Sequence, residues 1–276
     1  MCLVWGTTYL GIRISLETIP PLLMSAFRWI AAGSLLIAVL KMRGERMPLR
    51  RTWPSLALLG LLLLGFGNGA VVWAERTVPS GLTAVLVAMS PFWMVGIDAI
   101  MSDGEALTMR RVAGLLVGFA GIVMLVWPDI RLAGGRAFLG GVIATQIACL
   151  GWAIGSTYAR RRGQEENVLA TAAVEMLFGG FLLLAAGLAR GEWRMLAFNV
   201  RTSAALAYLV FIGAIAGFSA YAYALKHLPL ATVSLYAYVN PIIAVMLGIL
   251  VLREPFGARM LVAAAIVLVG MALVRD

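Results

Sequence analysis

Apolar residues in this chain come in ten long runs separated by short polar stretches, at approximately 2 to 19, 21 to 40, 53 to 74, 80 to 101, 109 to 127, 137 to 159, 168 to 189, 203 to 225, 230 to 252 and 257 to 274. Each is close to the roughly 20 residues that a helix needs to cross a hydrocarbon core of about 30 Å. Lipid offers no hydrogen-bond partner to a backbone group, so runs this continuously apolar are predicted to be helices rather than barrel strands. The connections are too short to hold a soluble domain. The pattern predicts an all-α membrane protein with ten transmembrane helices.

One run is interrupted at its middle, in "YAYVNPIIAV" at 236 to 245. Proline removes a backbone donor and kinks a helix, and an asparagine amide is costly in hydrocarbon. Self-comparison supplies a reason. "TVPSGLTAVLVAMSPFWMV" matches "HLPLATVSLYAYVNPIIAV", with Pro79 over Pro229 and Pro91 over Pro241, each pair 150 residues apart. Downstream, Glu105 pairs with Glu254, Arg110 with Arg259 and Gly121 with Gly270; upstream, Trp5 pairs with Trp152 and Arg13 with Arg160. The chain thus divides into two copies, 1–130 and 131–276, of five spans each. Five is odd, so the second copy is expected to enter the membrane from the opposite side. Two inverted repeats around a central cavity are a common construction of alternating-access transporters. Ser90-Pro91 lies over Asn240-Pro241, and helix breaks at matching positions point to a binding site near the bilayer midplane.

Composition agrees: 62% of residues are hydrophobic and 13% charged, where a soluble domain averages about 25% charged. The net charge of +9 is spread over short connections rather than gathered in a stripe, so no nucleic-acid partner is expected. Arg13 and Arg28 fall within spans; with the N-terminus inside, twelve of the other twenty Lys and Arg lie on the cytoplasmic side, which puts both termini there. The first run has no basic leader or small-residue cleavage site and reads as a span, not a removable signal peptide. Cys2 and Cys149 lie in apolar runs without metal-ligand spacing and read as packing residues, so neither metal nor cofactor is expected.

"LVWGTTYLGIRIS" at the start, together with the paired "VPSGLTAVLVAMSPFWMV...GEALTMRRVAGLLVGFAGIVML" and "LPLATVSLYAYVNPIIAVMLGILVLREPF...GARMLVAAAIVLVGMALV" blocks, resembles the EamA family of the drug/metabolite transporter superfamily. Within it the chain looks like the YddG-type bacterial exporters of aromatic and other neutral amino acids. The resemblance implies a multi-pass protein of the bacterial inner membrane. Spans 3, 4, 8 and 9 would line its centre, spans 1, 2, 6 and 7 would gate it, and spans 5 and 10 would pack at the ends. Small multidrug exporters of the superfamily carry a glutamate on the first helix, three residues before a Gly-Thr-Thr; here "LVWGTT" has Leu3 in that place. This departure tells against a cationic-drug substrate and removes the familiar proton-coupling acid.

Candidate substrate-binding residues follow from helix faces. Tyr236 and Asn240 are four apart and share a face; in the other half Leu86, Met89, Ser90 and Trp93 form the matching one. Trp5, Thr8 and Tyr9 make a face on span 1, and Thr145, Cys149, Trp152 and Ser156 its counterpart on span 6. Asn68 on span 3 is costly in lipid unless it faces inward. Tyr221 on span 8 completes the ring. A largely apolar cavity with a few polar anchors suits a substrate with a hydrophobic side chain and a polar end.

Charges within spans are functional candidates. A hairpin turning near Pro20 sets Arg13 and Arg28 at equal depth, so Glu17 or a substrate carboxylate is expected between them. The equivalent hairpin sets Arg160 against Glu175 as an ion pair. Both clusters read as gates, with Arg28 also a possible carboxylate ligand, and Asp98 is a partner for a loop arginine. Gly114 with Gly118, and Gly65 with Gly69, have the GxxxG spacing of close helix contacts. A monomer is expected, because the two copies supply each other's partner.

An enzyme would need converging nucleophile and base; the single histidine, His227, lies at a span end, and neither Gly-x-Ser-x-Gly nor His-Glu-x-x-His occurs. A channel would show rings of like charge. The reading that remains is a carrier of small neutral metabolites, foremost amino acids with aromatic or apolar side chains. Nucleotide sugars and phosphorylated sugars stand as alternative cargo, although they call for several cavity lysines or arginines.

Overall fold

The apolar runs fold as helices, and among the described residues there is no strand. The computed structural model describes residues 2–100, 108–132, 135–162, 166–228, 230–233, 236–254 and 257–275. Glu105 and Pro229, two members of the repeat pairs, lie outside the described residues, as does the side chain of Asp98. The helices are α1 (Cys2–Ser15), α2 (Pro21–Met42), α3 (Trp53–Leu59), α4 (Gly69–Ala74), α5 (Ser80–Val87), α6 (Ser90–Ile100), α7 (Met109–Leu132), α8 (Gly135–Arg161), α9 (Val168–Ala189), α10 (Val200–Tyr208), α11 (Ser219–His227), α12 (Leu230–Val233), α13 (Tyr236–Leu252) and α14 (Ala258–Arg275). Among the described residues, six stretches are long and apolar enough to cross a membrane, by length and composition: Pro21–Met42, Arg50–Ala74, Ser80–Ile97, Gly135–Arg161, Val168–Ala189 and Val200–His227. Val239–Leu252 and Ala258–Leu273 are shorter apolar helices.

Two stretches read as plain α-helix in the sequence are π-helical: π1 (Gly60–Asn68) joins α3 to α4, and π2 (Leu209–Phe218) joins α10 to α11. They stand 149 residues apart (209 against 60), in the register of the sequence repeat. A wider turn leaves room at the helix surface, and here tryptophans from other helices occupy it. A Cβ placed on Gly67 in π1 would lie 2.8 Å from the Trp152 ring, and one on Gly217 in π2 would lie 2.5 Å from the Trp5 ring.

Helix contacts come in matched pairs across the two halves. α2 packs along α9 and α7 along α14; α1 lies against α10, π2 and α13, while α8 lies against π1, α4, α5 and α6. Small residues allow the closest approaches. A Cβ on Gly33 of α2 would lie 2.8 Å from the Ala173 carbonyl oxygen of α9, and one on Gly180 of α9 would lie 2.9 Å from the Ile30 nitrogen of α2.

Carboxylates close one end of the bundle by capping helices. Glu192 accepts the backbone N–H groups of Leu22 and Leu23 at 3.0 Å each, at the start of α2. Glu254, just past α13, accepts the Ser80 N–H at 2.9 Å, the Ser80 hydroxyl at 2.8 Å and the Gly81 N–H at 3.1 Å. These are orphan donors of a helix N-terminus, where negative charge is favoured. Glu254→Ala is expected to lower thermal stability in detergent by about 1–2 kcal/mol. A loss no greater than that of Glu17→Ala, which removes an exposed ion pair to Arg201, would contradict the capping role. The opposite end is tied by Glu166, which accepts the Leu49 N–H at 3.0 Å, and by Glu45, which accepts from Asn167 at 2.8 Å.

Candidate functional site

Pro91 has no N–H for the Val87 carbonyl four residues back, so the helix stops at Val87 and restarts at Ser90. The freed Val87 carbonyl finds a substitute. The Ser90 hydroxyl donates to the Val87 oxygen at 2.7 Å, and the Cys149 thiol lies 3.8 Å from the oxygens of both Leu86 and Val87. Cys149 therefore does more than pack. The matching break expected at Pro241 is not seen: α13 runs unbroken from Tyr236 to Leu252 with Pro241 inside it, next to the buried Asn240. Both prolines are buried.

Between these two helices and α1, α2, π1 and α8 lies a narrow central cavity of about 70 Å³. Trp5, Tyr9, Asn68, Ser90, Trp152, Tyr236 and Asn240 line it as expected, joined by Thr8, Arg28, Trp29, Val71 and Cys149. Four lining residues hold buried polar atoms without a protein partner: Arg28 at Nε and Nη1, Trp29 at Nε1, Asn68 at Oδ1 and Trp152 at Nε1. A buried polar group normally finds a partner, because leaving it unpaired costs about 1–3 kcal/mol. Three of the four are donors, so the cavity is prepared for an acceptor, with one amide oxygen left for a donor.

Three expected residues fall elsewhere. Met89 is fully buried, and the Trp93 ring donates to Gln146 at 3.1 Å while its edge meets Phe119. The face drawn through Leu86, Met89, Ser90 and Trp93 assumed an unbroken helix. The interruption at 88–89 resets the rotation and leaves Val87 and Ser90 facing the cavity. Tyr221 lies beyond it, in a wall of rings: its centroid is 5.1 Å from that of Trp5, 5.0 Å from Trp152 and 6.1 Å from Tyr236. Trp5 and Trp152 meet edge to face at 5.4 Å, and the Tyr221 hydroxyl is 2.5 Å from that of Ser156. On the far side of this wall is a second cavity of about 350 Å³, lined in part by Tyr221, Phe218, Thr171, Glu175, Arg160 and Lys226.

The charged pairs differ from those expected. Glu17 does not join Arg13; it binds Arg201 at 3.1 Å on the surface. Arg13 instead donates to the backbone carbonyl of Glu75, whose fully buried carboxylate feels both Arg13 and Arg28 as neighbouring cations. Glu75 lies one residue outside the run at 53 to 74, so the sequence reads it as a connection charge. Arg160 and Glu175 share the second cavity but form no ion pair. Arg160 donates to the Leu228 oxygen at 2.8 Å, its long side chain reaching the end of the bundle.

Two stretches, 1–127 and 139–275, each match the model of the EamA-like transporter family. The chain belongs to this family. It is 38% identical over 247 residues to the uncharacterized inner membrane transporter YedA of Escherichia coli (strain K12), covering 89% of this chain and 78% of that one. It is 24% identical over 276 residues to the uncharacterized transporter YvbV of Bacillus subtilis (strain 168), covering 100% and 89%. A solved crystal structure superposes with a TM-score of 0.71 over 99% of this chain and 92% of that chain; at 21% identity this likeness is one of fold. Membership of this family implies a small-molecule substrate and a lipid bilayer.

Proposed function

We propose that this chain is an alternating-access carrier that exports or facilitates movement of small neutral amino acids, foremost those with aromatic or apolar side chains. Its two inverted repeats, 1–130 and 131–276, rock about the central cavity in a bacterial inner membrane, with both termini cytoplasmic. The observation that carries this reading is the set of unpaired polar atoms in an otherwise aromatic cavity. The Arg28 guanidinium, with the N–H groups of Trp29 and Trp152, suits a carboxylate; Asn68 Oδ1 suits an ammonium. The rings of Trp5, Trp152 and Tyr236 suit an apolar side chain, as in the YddG-type exporters. No cofactor takes part.

Passage requires the wall of Trp5, Trp152, Tyr221 and Tyr236 to part, so Ser156 and Tyr221 separate in each cycle. The wall also weighs against an uncoupled channel. Phosphorylated and nucleotide sugars carry about two negative charges, and Arg28 is the one cation among the described residues that line the central cavity. Purified protein in liposomes preloaded with unlabelled tryptophan is expected to concentrate labelled tryptophan, phenylalanine and leucine by counterflow, but no sugar phosphate. The same assay with an imposed pH gradient reports proton coupling. Absence of counterflow for every amino acid tested removes the reading.

A further inference from the structure

The sequence repeat places Arg28 over Glu175, 147 residues apart, the same shift that pairs Trp5 with Trp152 and Arg13 with Arg160. Equivalent positions in the two halves therefore carry opposite charges. Arg28 lines the central cavity; Glu175 lines the second, on the other side of the aromatic wall. Glu175 is 5% exposed and belongs to α9. A carboxylate this buried in a membrane protein is costly unless a cation compensates it. Arg160, expected as its partner, is instead committed to the Leu228 carbonyl, and Lys226 donates to the Glu166 carbonyl at 3.3 Å. Arg162 acts on Glu175 only through space and is itself held 3.7 Å from Glu166.

We propose that the second cavity is a separate binding site for primary ammonium groups carrying an apolar tail, with Glu175 as the ammonium receptor. At about 350 Å³ it lies within the usual range for small-molecule sites. Tyr221 and Phe218 line it together with Glu175, so the space around the carboxyl group is largely aromatic and apolar. The exposed Lys226, with Arg160, forms a positive rim. A zwitterion thus fits with its ammonium inward on Glu175 and its carboxylate outward, opposite to its anchoring by carboxylate at Arg28. With the termini cytoplasmic, this is the first site that an exported amino acid meets. The physiological ligand named here rests on the amino-acid reading; the ammonium site itself does not.

The test titrates the full-length protein in detergent with 2-phenylethylamine and, separately, with 3-phenylpropionate. Wild type is expected to bind the amine, and Glu175→Gln to bind it roughly tenfold or more weakly. Glu175→Asp should retain most of the affinity. Arg28→Gln should leave the amine unaffected while losing 3-phenylpropionate. Ala222→Trp, which fills the cavity without removing a charge, is expected to abolish amine binding and keeps the proposal testable if Glu175→Gln does not fold. No amine binding to wild type, or equal binding to Glu175→Gln or Ala222→Trp, overturns the proposal. Amine binding that depends on Glu175 without amino-acid counterflow supports the site and overturns the amino-acid reading alone.

Discussion

Arg28→Met is expected to cut counterflow of labelled tryptophan per folded protein by roughly ten- to a hundredfold, the loss of a charge-assisted hydrogen bond to the substrate, while also lowering the unfolding midpoint. The two halves of this result are independent. Arg28 is 2% exposed, and its Nε and Nη1 have no protein partner. Its guanidinium lies over Trp29 at 4.5 Å, and its Nη2 would stand 2.9 Å from a Cβ on Gly213. A cation held this way costs desolvation, but it also neighbours the buried Glu75 carboxylate, which loses that compensation when an apolar side chain replaces it. A structural role alone predicts that transport falls only as folded protein is lost. Arg28→Lys should recover part of the activity, because an ammonium keeps the charge but not the planar fork that meets a carboxylate with two parallel bonds. Counterflow and the unfolding midpoint, measured on one preparation, distinguish these outcomes.

Gly270→Leu is expected to abolish the monodisperse folded protein. A Cβ at this position in α14 would lie 2.6 Å from the Gly118 nitrogen and 2.8 Å from the Gly114 oxygen of α7. Both are backbone atoms, so no rotamer change relieves the overlap and the two helices must separate along their contact. Overpacking by single methylenes already costs about 1–3 kcal/mol, and here the obstacle is main chain. Gly270→Ala should fold with a lowered unfolding midpoint. Gly96→Ala, where a Cβ meets nothing within 4 Å, is the control and should match wild type. Size-exclusion profiles in detergent report the result; a wild-type profile for Gly270→Leu would refute the close packing of α7 on α14.

Much of the cavity was legible because it depends on local chemistry. Trp5, Tyr9, Asn68, Trp152, Tyr236 and Asn240 were singled out as costly or aromatic residues inside apolar runs, and all six line the central space. Met89 and Trp93 were misplaced for a reason equally local. A helix-face argument carries a rotation of about 100° per residue through the chain, and the irregular turn at 88–89 shifts that face, so that Ser90 meets the cavity while Met89 and Trp93 do not. The π-helical stretches left a trace only in hindsight, as Gly67 and Gly217 at matching places in the two copies. Glu75 was missed because a charge just past an apolar run usually faces water.

By itself the sequence determined that the chain is helical and apolar, that it repeats, and that a proline beside a polar residue sits in matching runs at Ser90-Pro91 and Asn240-Pro241, because residue identity and apolar run length are properties of neighbouring residues; that the helix breaks at the first and continues through the second was decided by the fold. Only the tertiary structure decided the partners of the charges: Glu17 with Arg201, Arg13 with the Glu75 carbonyl, and Arg160 with Leu228 rather than Glu175. Long charged side chains reach several carbonyls and carboxylates at similar cost, and the choice among them depends on where whole helices come to rest. The division of the interior into two cavities by Trp5, Trp152, Tyr221 and Tyr236 is likewise tertiary, since it takes four rings from four helices meeting at one level.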